Sequence, residues 1–141
     1  VLLIGNSYGY RAFPVLLRLF AGRFSEFRMF TKSSRVTLSI DREDRPYSKH
    51  AKKILEMSKP DITFIIEKDS FATLRKPIEK SLEEDEIMKY LQSSVDFVRN
   101  NCARVIIDYQ YYQPHLDDGS AYRIQKLLQK NKLNFDDLKI K

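Results

Sequence analysis

A serine that follows a short apolar run is the residue of this sequence best suited to chemistry. Ser7 comes after the apolar residues Val1 to Ile4 and the pair Gly5-Asn6, and an aromatic segment with a second glycine follows it. The apolar run predicts a buried strand, and the next segment predicts a helix. Because α/β proteins bind ligands at the carboxyl ends of parallel strands, Ser7 is a candidate nucleophile. The alternative is a polar residue of the turn.

The composition is that of an ordinary folded domain. The chain has 141 residues, of which 43% are hydrophobic and 31% are charged, which suffices for one domain with a sizeable core. No apolar run approaches the roughly 18 residues that cross a bilayer. The net charge is +6, but the basic residues lie beside acids or on the polar sides of helical patterns. This distribution favours solvated helix faces over nucleic-acid binding.

Strand and helix patterns alternate along the chain. Apolar residues recur at helical spacing in four segments, which run from Phe13 to a closing Gly22, from Tyr47 to Met57, from Ile87 to Val98 and from Tyr122 to Gln129. Besides Val1 to Ile4, strands are predicted for "EFRMFTK", "DITFIIE" and "ARVIIDYQYY". The alternation predicts an α/β fold with a parallel sheet of about four strands, covered on both faces.

Two helices carry more detailed expectations. Pro14 lies in the first helical segment, and because a helix tolerates proline in its first turn, we expect the helix to start close to that residue. An acidic first turn from Glu83 to Glu86 suits the dipole of the third helix. In the second helix, the residues available for a core face are Ala51, Ile54, Leu55 and Met57.

The segments "GNSYGYRAFP", "FRMFTKSS", "KPDITFII" and "LNFDDLKIK" carry a resemblance to a known family. The chain resembles the SGNH (GDSL-like) hydrolase superfamily, and within it the SGNH domain attached to integral-membrane acyltransferases of the acyltransferase-three family, most closely the nematode versions. The likeness covers nearly the whole chain, although only the first segment touches chemistry. We therefore expect residues 1–141 to be the N-terminal part of a single SGNH hydrolase-like domain.

The resemblance implies a flavodoxin-like three-layer α/β/α sandwich in which Ser7 is the nucleophile for acyl transfer. In the family, the N–H of that serine, a glycine of a second motif and an asparagine of a third form the oxyanion hole, and no metal or diffusible cofactor is needed. Gly5 and Ser7 match the first motif. Asn6 replaces the usual Asp and keeps a short side chain that can bond turn amides.

The other two motifs depart from the family pattern. The loop after the second strand offers Ser33 and Ser34 in place of the glycine, and the third strand runs into Lys68-Asp69 in place of the asparagine. Lys68 can stabilise an oxyanion electrostatically, but Asp69 would oppose it. The candidate oxyanion groups are therefore Ser7, Ser33, Ser34 and Lys68. One missing donor costs on the order of a hundred- to a thousandfold in rate.

The residue that would accept the proton of Ser7 departs further from the family pattern than the oxyanion groups do. In the family, a histidine preceded three positions earlier by Asp completes the triad. This chain contains His50 and His115, which are preceded at that position by Tyr47 and Tyr112. We expect the Asp-x-x-His pair to lie beyond Lys141.

Other polar residues allow two interpretations each. His115 could act as a base, or bind a metal with Asp117 and Asp118, but it also suits a solvated loop. Asp108 could replace a triad acid or anchor a loop. Tyrosines that could line an acyl or sugar pocket, or simply pack, are Tyr109, Tyr111 and Tyr112. His50 suits the surface and Cys102 a small buried position.

The resemblance implies one function, and the departures from its motifs allow a second. The first is O-acyl transfer, with acetyl as the expected group, or ester hydrolysis on a carbohydrate-type hydroxyl. An attached membrane acyltransferase would supply the acyl group on the extracellular or secretory-lumen side. The alternative is an inactive SGNH-like domain that binds the acceptor or scaffolds the membrane partner, which the departures at Ser33 and Lys68 favour.

Overall fold

Strands and helices alternate strictly in the computed structural model, which describes residues 1–33, 46–68, 77–79, 81–110 and 119–133. The strands are β1 (Leu2–Gly5), β2 (Arg28–Thr31), β3 (Ile62–Lys68) and β4 (Arg104–Gln110). The helices are α1 (Ser7–Leu19), α2 (Pro46–Ser58), α3 (Glu86–Asn100) and α4 (Gly119–Asn131).

The strands form one parallel sheet in the order β2-β1-β3-β4. Gly5, at the end of β1, lies opposite Thr31 of β2 and Ile66 of β3. Ile66 in turn pairs with Asp108 of β4. The predicted α/β class with a four-stranded parallel sheet is confirmed for the described residues.

Apolar side chains pack on both faces of the sheet, since successive residues of a strand point to opposite sides. Leu3 and Phe64 pack with α1 on one face. Leu2 and Ile65 pack with α2, α3 and α4 on the other. The two central strands are buried on both sides, which explains why their sequences are continuously apolar rather than alternating.

Helix α1 begins earlier than the sequence indicates. It starts at Ser7, so Pro14 lies in its interior and the expectation of a first-turn proline is wrong. Proline lacks the N–H that would bond the Tyr10 carbonyl, but Pro14 is exposed and water can bond that oxygen. Packing offsets the lost bond, for example the contact of the Phe20 ring with Phe64 at 5.6 Å. Gly22, with φ of 74°, lies in the turn that follows the helix.

Helix α2 buries part of the predicted core face. Ala51 and Leu55 are fully buried, and Ile54 is half-buried against the same cluster. Met57 is 75% exposed, so its assignment to the core is wrong. Met57 lies two residues beyond Leu55, which places it roughly 200° away around the helix.

A buried ion pair joins α3 to α4. Asp85 caps the N-terminus of α3 by accepting a hydrogen bond from the Met88 N–H at 2.8 Å. Its two carboxylate oxygens also accept from Nε and Nη2 of Arg123 at 3.0 and 2.6 Å. Because the cap lies at Asp85, Glu86 alone of the predicted acidic residues falls within the first turn.

Candidate active site

The turn between β1 and α1 positions Ser7 as the first residue of a helix. Asn6 is the N-cap, and its Oδ1 accepts a hydrogen bond from the Tyr8 N–H at 3.1 Å. This is the role that a short polar side chain is expected to play before a helix. Ser7 is half-buried at the carboxyl edge of the sheet.

Gly5 and Gly9 let the start of α1 approach β3 closely. A Cβ atom on Gly5 would lie 2.1 Å from the Ile66 carbonyl oxygen, and one on Gly9 would lie 3.0 Å from the same atom. Both distances are shorter than ordinary van der Waals contacts. The two glycines therefore allow the N-terminus of α1, and Ser7 with it, to lie close to the carboxyl end of β3.

The Gly5 carbonyl is held from two further elements. It accepts a hydrogen bond from the Lys32 N–H at 3.0 Å, just beyond β2, and one from the Tyr47 hydroxyl of α2 at 3.1 Å. The Tyr47 ring is buried and stacks on Phe30, with 5.0 Å between ring centroids. The backbone that leads into Ser7 is thereby bound to β2, β3 and α2.

Three buried polar side chains lie at this edge of the sheet. Asn6, Ser48 and Glu67 are each at most 3% exposed, and each makes polar interactions. Alternation along β1 and β3 places Asn6 and Glu67 on the face that α2, α3 and α4 cover. Sequence reasoning missed Ser48 and Glu67, since a serine in a basic helix and an acid at a strand end both suit the surface.

The strand order defines where a ligand crevice should form. The chain passes from β1 to β2 on one side and then crosses to β3 on the other, so its direction of winding switches between β1 and β3. In parallel sheets, crevices form outside the carboxyl ends of strands at this switch point. Ser7 follows β1 directly at that place.

Three of the predicted oxyanion residues lie at the carboxyl edge of the sheet. Gly5 is in register with Thr31 and with Ile66, and Ser7, Ser33 and Lys68 each follow one of these three residues by two positions. Ser33 is exposed. Ser34, the side chain of Lys68 and Asp69 lie outside the described residues, as do His115, the side chain of Tyr109 and the rings of Tyr111 and Tyr112.

The Ser7 backbone suits the stabilisation of negative charge. The first N–H groups of a helix lack intrahelical acceptors and carry the positive end of the helix dipole. No acidic residue lies in the first turn of α1. Within the described ranges, no hydrogen bond occupies the Ser7 hydroxyl or N–H. A tetrahedral oxyanion formed on Ser7 could therefore accept a hydrogen bond from that N–H.

The remaining candidate residues lie elsewhere. His50 is exposed on α2, as predicted. Asp108 is half-buried on β4, which β3 separates from β1. Cys102 precedes β4, at the opposite edge of the sheet from Ser7. Burial raises the pKa of its thiol, against hydrogen bonds with Thr63 and Arg104 that lower it, and the thiol donates to the Val98 carbonyl at 3.1 Å.

The described residues contain neither a metal-binding cluster nor a membrane-spanning helix. In the part of the chain that the structure describes, no three His, Cys, Asp or Glu side chains lie close enough to hold a metal ion. No described helix combines the length and the apolar character needed to cross a membrane. No protein-family model, curated protein or solved structure matches the chain.

Proposed function

We propose that the chain is part of an SGNH-type domain, with the three-layer sandwich of that superfamily, which transfers an O-acyl group through a Ser7 acyl-enzyme. The observation that supports this most is the position of Ser7. It is the first residue of a helix, at the switch point of a parallel sheet, and Gly5 allows it to lie close to the carboxyl end of β3.

The proposed reaction has two half-reactions. The Ser7 Oγ attacks the carbonyl carbon of an acyl ester and gives its proton to a base, and the departing alcohol takes that proton as the C–O bond breaks. The hydroxyl of a carbohydrate-type acceptor, or water, then attacks the acyl-enzyme. The base receives the acceptor's proton and returns it to Ser7. The Ser7 N–H and amides near Ser33 and Ser34 would bind the oxyanion.

The partners of this reaction follow from the family resemblance. An attached integral-membrane acyltransferase would deliver the acyl group, of which acetyl is the expected form, outside the cytoplasm or in a secretory lumen. The base would be a histidine oriented by an aspartate. The only histidine among the described residues, His50, is exposed on α2 and is not assigned this role.

A serine-directed fluorophosphonate probe tests the proposal on the full-length protein. We expect labelling of the wild type, loss of labelling in Ser7→Ala, and retention in Ser25→Ala, a matched change at an exposed serine before β2. If folded wild type and Ser7→Ala are labelled equally or not at all, Ser7 is not an activated nucleophile.

That negative outcome would favour a second function. An SGNH-like domain without catalysis could bind the acceptor or scaffold the membrane partner. The lack of a glycine at Ser33 and of an asparagine at Lys68 supports this alternative.

A further inference from the structure

The solvent-facing side of α1 places an aromatic ring and a cation beside Ser7. Residues three and four positions apart are neighbours on a helix surface, so Tyr10 and Arg11 both adjoin Ser7. Side chains on a helix lean toward its N-terminus. Tyr10 and Arg11 therefore extend back toward the carboxyl edge of the sheet, where Ser7 lies.

Tyr10 presents its ring to solvent. Its side chain is 63% exposed, and in the described part of the chain it makes no hydrogen bond or ring contact. The contrast with Tyr8 and Tyr47 is clear, since Tyr8 packs against the core and Tyr47 is buried with its hydroxyl bonded. An exposed ring beside a candidate nucleophile is available to a ligand.

Arg11 carries a charge that no other described residue pairs. It is exposed, and none of the described acidic side chains forms an ion pair with it, whereas Arg28 pairs with Glu26 and Arg123 with Asp85.

Among the described residues, the side of α1 that carries Arg11 is positively charged. Helix α1 contains no acidic residue and has a second exposed arginine, Arg18. Glu67 lies on the opposite face of the sheet and is fully buried. The surface around Ser7 thus favours a ligand with a negative group.

We propose that the acceptor of this site is an acidic carbohydrate. The C–H face of a sugar ring stacks on Tyr10, the sugar's carboxylate binds the guanidinium of Arg11, and a ring hydroxyl faces Ser7. An aromatic ring offers an apolar face with a polar tip, and guanidinium pairs with carboxylate through two parallel hydrogen bonds. This inference names the substrate class of the proposed transferase and rests on that proposed function.

Binding of two oligosaccharides of equal length tests the inference. The full-length Ser7→Ala protein is titrated by calorimetry with trigalacturonate and with maltotriose, so that binding is measured without turnover. We expect trigalacturonate to bind at least tenfold more tightly. Arg11→Gln should remove this preference, and Tyr10→Ala should weaken binding of both sugars by about tenfold.

Matched variants control for general effects. Arg18→Gln removes an exposed arginine from the same side of α1, two helical turns further from Ser7 than Arg11 is. Tyr122→Ala removes an exposed tyrosine from α4. Neither should change binding. Equal binding of the two sugars, or an unchanged preference in Arg11→Gln, would overturn the inference. Fluorophosphonate labelling tests the role of Ser7 separately. Sugar binding without labelling would support the acidic-sugar site and contradict the proposed acyl transfer.

Discussion

At the scale of single residues, Gly5 has the least room for a side chain among the described glycines. A methyl group there would overlap the Ile66 carbonyl, a backbone atom that cannot move without disturbing β3. Overpacking of this kind costs about 1–3 kcal/mol, so we expect Gly5→Ala to lose at least that much stability. Urea unfolding measures the loss.

Gly9 provides the internal comparison. An added methyl there would meet the same oxygen at 3.0 Å, a contact that a small shift relieves. Alanine also stabilises a helix by about 1 kcal/mol relative to glycine. Gly9→Ala should therefore be clearly less destabilising than Gly5→Ala, and equal losses would show that the approach of α1 to β3 is not limited by Gly5.

At the scale of elements, the attachment of α4 to α3 depends on a buried charge pair. The side chains of Asp85 and Arg123 are 9% and 1% exposed. Removal of one member of a buried pair leaves an uncompensated charge and costs about 3–5 kcal/mol. We expect that loss in Asp85→Asn, which keeps the helix cap, and in Arg123→Met.

The double variant distinguishes the pair from its separate parts. With both charges replaced, no uncompensated charge remains, so Asp85→Asn/Arg123→Met should be more stable than either single variant. A double-mutant cycle from urea unfolding measures the coupling. Additive losses would mean that the two side chains stabilise the protein independently.

The same pair predicts a dependence on acid. The Arg123 hydrogen bond, with the Met88 and Ile87 amides, lowers the pKa of Asp85 below 3.8, against the opposing effect of burial. A carboxyl with a lower pKa in the folded state contributes stability that is present above its unfolded pKa and is lost as the pH falls toward the folded value. The contribution should therefore decline below about pH 3.8.

Acid affects other carboxylates as well, so the quantity to measure is the difference in free energy of unfolding between wild type and Asp85→Asn. This difference in free energy of unfolding should become smaller as the pH falls from 6 to 2. A constant difference for Asp85→Asn would contradict the role of the carboxylate.

Among the elements, those with strong apolar patterns were predictable from the sequence. The run "DITFIIE" and the spacing from Ile87 to Val98 locate β3 and α3, because burial of a strand or a helix face requires those patterns. The start of α1 was not predictable from Pro14, since packing on β3 overrides the local cost of an interior proline. Met57 was misassigned because an apolar residue type does not fix a position around the helix.

The candidate site was predictable only where local sequence determines it. Asn6 and Ser7 form their turn through a contact between neighbours, since Asn6 caps α1. Arg123 and its partner Asp85 lie 38 residues apart, and a charged residue in an amphipathic helix ordinarily suggests solvent. Tyr47 likewise reaches Gly5 across 42 residues. Such long-range polar contacts depend on the assembled fold.

At the scale of the whole molecule, the two central strands should be the most stable part. β1 pairs on both sides, with β2 and β3, and β3 pairs with β1 and β4. Since hydrogen exchange reports local opening, we expect the slowest exchange at Leu3, Ile4 and Ile65. We also expect the amides of β2 and β4 to exchange faster. Equal protection of all four strands would contradict the prediction. Hydrogen exchange followed by mass spectrometry or NMR measures these rates.

The central position of β1 also affects synthesis of the protein. Leu3 pairs with Phe64, so roughly sixty residues must be translated between the two partners, which takes on the order of 3–12 s at about 5–20 residues per second. During that interval the apolar side chains of β1 have left the ribosome before their second neighbour strand exists. We therefore expect the nascent chain to bind chaperones that recognise short apolar segments, and the sheet to close only after β3 has emerged.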